Sequence, residues 1–174
     1  MSAMKITTPT SEEARALVPV LADILIDCVE GGFSVSFLLP IARRTAEDFY
    51  ARTAARVADG SAVLFVASLD GDIVGTVQLC PVLIENQPHR ADVAKLLVHR
   101  RGRRLGVAQA LMAALEDKAR ADGRTLLSLD TTAGSPAERL YGKLGWQCLG
   151  IMPNHALLPN GEPSDTAFFW KVLA

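Results

Sequence analysis

The stretch Val98-His99-Arg100-Arg101-Gly102-Arg103-Arg104-Leu105-Gly106-Val107-Ala108 sets four arginines and two glycines between two apolar segments. Upstream, residues 92–98 read as a strand. Downstream, Ala108, Leu111, Met112, Leu115 and Ala119 recur at helical spacing, and Gly123 stands where a helix-ending residue is expected. Residues 126–129 read as the next strand, so the arginines occupy the strand-to-helix turn of a right-handed βαβ unit with parallel or splayed strands. Cations at a helix N-terminus face the positive end of the macrodipole, a penalty of about 0.3–1 kcal/mol each when exposed. The arrangement becomes favourable once an anion sits on the helix start, where free N–H groups point at it. Gly106 lets backbone approach such a ligand closely, and Ala108 is small enough to leave the first turn uncovered. The turn therefore predicts a phosphate cradle; a solvated basic run and a nucleic-acid patch are the alternatives. No Lys-Ser/Thr follows the second glycine and no Gly-x-Gly-x-x-Gly is present, which excludes a P-loop and a dinucleotide fingerprint.

Working outward, Ser135, Pro136 and Glu138 supply an N-cap, a proline at the first helical position and an acid at the third. They predict a short helix to Leu144 closed by Gly145. Residues 146–151 and 166–172 read as two strands around a turn-rich segment at 159–163. Towards the N-terminus, residues 62–69 and 72–79 flank Asp70-Gly71, the strongest short-range hairpin signal. Residues 5–8 read as a first strand. Thr10 and Glu13 have capping-box spacing, predicting one helix whose inner face runs Leu17, Val20, Leu21, Ile24 and Cys28 before Gly31-Gly32 ends it. A second helix is expected over about 45–57, and residues 33–40, without a period, form the connection between the two.

The chain has 174 residues, 49% apolar and 21% charged, which predicts a single domain over 1–174 that needs neither disulfide nor metal to stay folded. Lys and Arg total 18 against 19 Asp and Glu, so overall charge argues against a general nucleic-acid binder. Cys28, Cys80 and Cys148 are far apart and in apolar surroundings, and are expected to be reduced, packed thiols of a cytoplasmic protein. Glu12, Glu13 and Arg15 interrupt any secretory h-region, and residues 17–28 are too short and too acidic to span a membrane. No His, Asp and Glu set has metal-ligand spacing, and no metal is expected.

Arg103-Arg104-Leu105-Gly106-Val107-Ala108 resembles the Arg/Gln-x-x-Gly-x-Gly/Ala pattern of the GCN5-related N-acetyltransferase (GNAT) superfamily. The preceding Leu96-Leu97-Val98 and the segment Ala137-Glu138-Arg139-Leu140-Tyr141-Gly142-Lys143-Leu144-Gly145-Trp146 extend the resemblance, in the family's order, over residues 92–146. Residues 89–93 and 129–132 also look like the tabtoxin-resistance type, which acetylates a small amino-acid-like toxin. The resemblance implies an α+β fold: a mixed, mostly antiparallel sheet of six to seven strands flanked by helices, with acetyl-CoA bound where two central strands splay. It implies direct acetyl transfer to a primary amine of a small molecule, amino-acid-like, a toxin or an antibiotic, by a monomer or homodimer, without nucleic-acid or membrane partners. A catalytically silent acyl-CoA-binding module is the alternative. The family often has Asn three residues before the helical Ala; here Gly134 holds that position, and the Ser135 hydroxyl is the available substitute.

Acetyl transfer to an amine needs a base, because an ammonium has no lone pair, and an acid for the departing thiolate. Tyr141 resembles the family's acid, since a phenol stays protonated at neutral pH; a half-buried packing Tyr is the alternative. Asp92, which begins its strand near where many members carry Glu, and Asp130, which ends the next, are the candidate bases, each also readable as a solvated strand-end carboxylate. By resemblance, the cofactor is held by Leu97 and Val98 through backbone groups, by residues Arg103, Arg104, Leu105, Gly106, Val107 and Ala108 at the pyrophosphate, and by Ser135 and Tyr141. Backbone donors aimed at the thioester oxygen would contribute more than a single acid or base. His99 is expected to be a surface side chain beside the arginines. Residues 35–39, 81–90 and 154–165 are the expected walls of the acceptor pocket.

Overall fold

The computed structural model describes residues 3–173. Seven strands form one sheet: β1 (Met4–Thr7), β2 (Val63–Leu69), β3 (Asp72–Pro81), β4 (Arg90–Val98), β5 (Leu126–Thr132), β6 (Gln147–Leu157) and β7 (Pro163–Val172). Their order is β1-β2-β3-β4-β5-β7-β6, and every neighbouring pair is antiparallel except β4 with β5. The helices are α1 (Ser11–Ala16), α2 (Val18–Glu30), α3 (Arg43–Ala58), α4 (Val107–Ala121) and α5 (Pro136–Lys143). The expected mixed, mostly antiparallel sheet flanked by helices is the observed one.

Local signals account for most boundaries. Asp70 and Gly71 have φ of 51° and 96°, the pair of positive values that a tight hairpin between β2 and β3 demands. The Thr10 side chain accepts from the Glu13 amide while Glu13 accepts from the Thr10 amide, so the capping box is complete. The single helix expected to follow it is instead two. Leu17 closes α1, and Pro19, lacking an N–H, sits in the first turn of α2, where a missing donor costs no ladder bond.

Strand alternation feeds two cores. Leu64 and Val66 of β2 pack with α1, α2 and α3, whereas Phe65 and Ala67 pack with α4 and α5 on the other face. Because both faces are covered, β2 reads as a continuous apolar run. The other end of the sheet is barer: β6 is exposed along nearly its whole length, and its Cys148 is exposed too. Cys148 therefore corrects the expectation of three packed thiols, because it stands on this exposed edge strand; Cys28 is buried and Cys80 half-buried.

One irregularity of the sheet shapes the site. β4 and β5 pair only at Arg90 with Leu126, Ala91 with Leu127 and Asp92 with Ser128. Beyond that point β4 stays with β3 and β5 stays with β7, so the sheet opens between residues 93–98 and 129–132. Among the described residues no helix is long and apolar enough to cross a membrane.

Candidate active site

A cavity of about 1100 Å³ fills the opening between β4 and β5. Its volume lies at the upper end of the range for small-molecule sites. The turn before α4 and the start of α5 border it on one side, and residues 33–38 and β6 on the other.

The N-terminus of α4 is bare. Gly106 is its N-cap, with φ of 81°, and no side chain caps the first turn. A Cβ built on Gly106 would meet nothing within 4 Å, so the approach to the free amides of Val107, Ala108 and Gln109 is open. Arg104, also left-handed at φ 63°, lines the cavity and makes no ion pair or hydrogen bond among the described residues. An uncapped helix start, an open glycine and an uncommitted guanidinium fit a diphosphate. Leu105 does not line the cavity; its side chain is 54% exposed.

The other arginines have different work. Asp27 of α2 is 6% exposed and accepts from the Arg100 amide at 2.9 Å, from Arg100 Nε, and from Arg103 Nη2 at 2.9 Å. Arg103 Nε donates to the Val98 carbonyl at 3.0 Å, and its guanidinium lies over Phe33, 4.8 Å from the ring centroid. Arg101 donates to His99 Nδ1, which also caps the short 3-10 turn Arg100–Gly102. Four arginines gathered around a ligand is therefore not what the fold contains. A carboxylate taken out of water needs cations against it, and Asp27 draws Arg100 and Arg103 to itself. Burial alone would raise the Asp27 pKa, but hydrogen bonds from Arg100 and the charges of His99 and Arg100 outweigh it and hold it below the usual aspartate value. His99 is correspondingly not a free surface side chain: only 17% of it is exposed, 3.6 Å from Asp27, and burial lowers its pKa against the pull of that carboxylate.

The catalytic candidates separate. Tyr141 and Asp130 both line the cavity, with Asp130 exposed and Tyr141 nearly buried. The Tyr141 ring packs against Trp146 and Phe169, each 5.9 Å between centroids, and its hydroxyl has no hydrogen-bond partner among the described residues. Burial pushes its pKa above the ordinary phenol value, and the charge of Asp130 adds to this. Asp92 lies outside the cavity, in the paired part of β4, where it accepts from Arg90 and from Ser128. Ser135 lines the cavity, but its oxygen already caps α5 by accepting from Glu138 N at 3.1 Å. Leu97 and Val98 line it too; the Val98 carbonyl is taken by Arg103 and by Cys28 Sγ.

The walls also differ from expectation. Residues 81–90 do not reach the cavity, because the parallel pairing closes that end of the sheet. The expected loop 154–165 is mostly strand, and His155, Ala156 and Leu157 reach the cavity from β6. Residues 35–38 do line it. Sequence reasoning passed over Asp27, Lys95 and Ser34, while Ser36 falls within the expected wall 35–39. A carboxylate on the apolar stripe of a helix and a lysine inside an apolar strand were the signals for the first two.

The model of the family described as "Acetyltransferase (GNAT) family" matches residues 29–146. An uncharacterized N-acetyltransferase of Azospirillum brasilense is 33% identical over 112 residues, 63% of this chain and 65% of that protein, so under two thirds of the relative's length is spanned. A putative acetyltransferase from Salmonella typhimurium, solved with acetyl-CoA, superposes with a TM-score of 0.79 at 19% identity, over 99% of this chain and 95% of that one. A ribosomal-protein-alanine N-acetyltransferase from Brucella melitensis gives 0.77 at 25% identity, over 97% and 99%. A phosphinothricin acetyltransferase from Sinorhizobium meliloti, in complex with acetyl-CoA, gives 0.79 at 17% identity, over 98% and 89%. With the family model covering well over half of the sequence, and the opened sheet and bare helix start where the motif lies, the chain belongs to the acetyltransferase (GNAT) family.

Proposed function

We propose that the protein is an N-acetyltransferase that moves the acetyl group of acetyl-CoA directly to a primary amine of a small molecule. The observation that carries this reading is the uncapped start of α4 opening onto the same cavity as Tyr141 and Asp130. When bound, acetyl-CoA supplies an activated acetyl group and a thiolate leaving group. The chain's own residues do the rest. The amides of Val107, Ala108 and Gln109, with Arg104, hold the diphosphate. Leu97 and Val98 line the path from there into the opened sheet. Asp130 takes a proton from the ammonium form of the acceptor; the neutral amine then forms a C–N bond to the thioester carbon, the C–S bond breaks, and Tyr141 Oη, kept protonated by its burial, gives its proton to the departing thiolate and regains one from the acylated nitrogen.

A small acceptor is supported by the roof over the cavity. Ser34 Oγ donates to the Leu157 carbonyl at 2.9 Å and Leu39 N to the Pro159 carbonyl at 2.8 Å, so residues 33–39 cross from α2 to the end of β6 and are pinned there. A crossing strap of this kind leaves a covered pocket rather than a groove for an extended chain. The test pairs calorimetric titration of coenzyme A with thiol release from acetyl-CoA over a panel of small amines. Binding with amine-dependent thiol release is expected. Binding without release from any amine would make the protein a silent acyl-CoA-binding module instead.

A further inference from the structure

We propose that the roofed half of the cavity selects amines that also carry a carboxylate, with Lys95 and Ser36 holding the carboxylate and Asp130 facing the amine; the inference rests on the acetyltransferase reading. The Lys and Arg side chains lining the cavity fall into two groups. Arg103, Arg104, Arg139 and Lys143 belong to the turn before α4 and to α5, whereas Lys95 stands apart on β4 beneath the roof.

Its position is unusual. Thr76 pairs with Leu97 and Gln78 with Ala94, so Lys95 and Leu96 bulge out opposite Val77 alone. Lys95 has φ of 54°, and Ser36, its partner on the roof, has φ of 79°, both uncommon for residues with a Cβ. Lys95 Nζ donates to Ser36 Oγ at 2.8 Å and lies 5.9 Å from the centre of the Phe49 ring of α3. An ammonium has three donors, and the one hydrogen bond it makes among the described residues goes to a neutral hydroxyl. Burial accordingly lowers its pKa, opposed by the charges of Asp130 and Cys80.

Asp130 lies on the same side of the opening. It pairs with Phe168, and Thr132 pairs with Thr166, so alternation puts these four on one face, which the contacts of His155 with Thr166 and Phe168 extend to β6. On β4, Leu97 packs into the α2–α3 core, and Lys95 is two residues before it and close to α3. Lys95 and Asp130 thus both line the cavity, and among the described residues they form no ion pair. A half-buried cation with only a neutral partner is under-compensated. An amino-carboxylate placed between the two satisfies both charges, its ammonium towards Asp130 and its carboxylate towards Lys95 and Ser36. A simple alkylamine satisfies one and leaves the other exposed to desolvation.

The experiment compares the L-amino acids with their carboxamides, which keep the side chain and amine but lose the negative charge. The readout is kcat/KM for thiol release from acetyl-CoA. Wild-type protein is expected to prefer at least one free acid over its amide by about 100-fold, the upper scale of a lost hydrogen bond to a charged group. Lys95→Met should bring that ratio close to one, and Ser36→Ala should lower it partially. A ratio cancels any loss of folded protein, so a poorly folding variant still reports. Equal use of acids and amides by wild type, or an unchanged ratio in Lys95→Met, overturns the inference. So does turnover confined to amines without a carboxylate, or none across both panels while coenzyme A binds. Failure of coenzyme A to bind in calorimetry would instead remove the acetyltransferase reading beneath it.

Discussion

At position 27 an aspartate occupies the inner stripe of α2, where the spacing of Leu21, Ile24 and Cys28 asks for an apolar side chain. Its carboxylate holds the Arg100 amide and the Arg100 and Arg103 guanidiniums, and through them the turn that presents Arg104 and Gly106. Asp27→Asn is expected to cost about 1.5–3 kcal/mol, the scale of a hydrogen bond to a charged group, and to weaken coenzyme A binding, checked by thermal melts and calorimetry. The pH dependence follows from the lowered Asp27 pKa. Its contribution is fully present above the unfolded value of about 3.9 and is lost as pH falls through the lower folded value. Wild type should therefore lose stability on acidification below about pH 4 more steeply than Asp27→Asn. For Tyr141→Phe, which keeps the packing on Trp146 and Phe169, turnover should fall by about 100-fold with unchanged coenzyme affinity. Equal turnover would remove Tyr141 as the acid. Tyr141 was legible in the sequence because its segment carries a motif. Asp27 was not, since its partners lie more than 70 residues away and only the fold brings them together.

Among the elements, β3 and α4 show how packing sets the site. A Cβ at Gly75 would stand 2.8 Å from Val107 Cγ1, 3.2 Å from Leu111 Cδ1 and 3.3 Å from the Leu97 carbonyl. Gly75 thus lets the first turn of α4 lie close on the sheet, with the cradle at its end. Gly75→Ala should destabilise by about 1–3 kcal/mol through overpacking and, by pushing Val107 outward, lower coenzyme affinity in the same variant. A melt and a titration on one preparation check both, and an unchanged affinity would show that the cradle does not depend on this contact. The elements with their own start and stop signals were readable: the Asp70-Gly71 hairpin, the Ser135 cap and the Thr10 capping box. The break at Leu17 was not, because the apolar period runs through it and proline is compatible with either a bend or a new first turn. The length of β6 also escaped, since an exposed edge strand has little apolar alternation to show.

For the molecule as a whole, the site exists because a sheet with cores on both faces comes apart between two of its central strands. The order strand, basic turn, helix and strand left the two strands parallel or splayed, and the resemblance of their motifs to the acetyltransferase family implied the splay that is observed. The sequence could not show the roof, whose residues 33–39 have no period of their own and are fixed by bonds to Leu157 and Pro159 far along the chain. Nor could it show that only part of the basic run faces the opening. What survives of the electrostatic reading is narrower than four arginines around a ligand: bare amides on α4, an open Gly106, and Arg104 with Arg103, the two of the four that line the cavity. The most direct measurement of that claim follows the backbone amide resonances of Val107, Ala108 and Gln109 by 1H–15N NMR during titration with coenzyme A. The account predicts that these signals shift saturably and among the most strongly in the protein. Saturable shifts elsewhere with these amides unmoved, or no saturable shift at all, would contradict it.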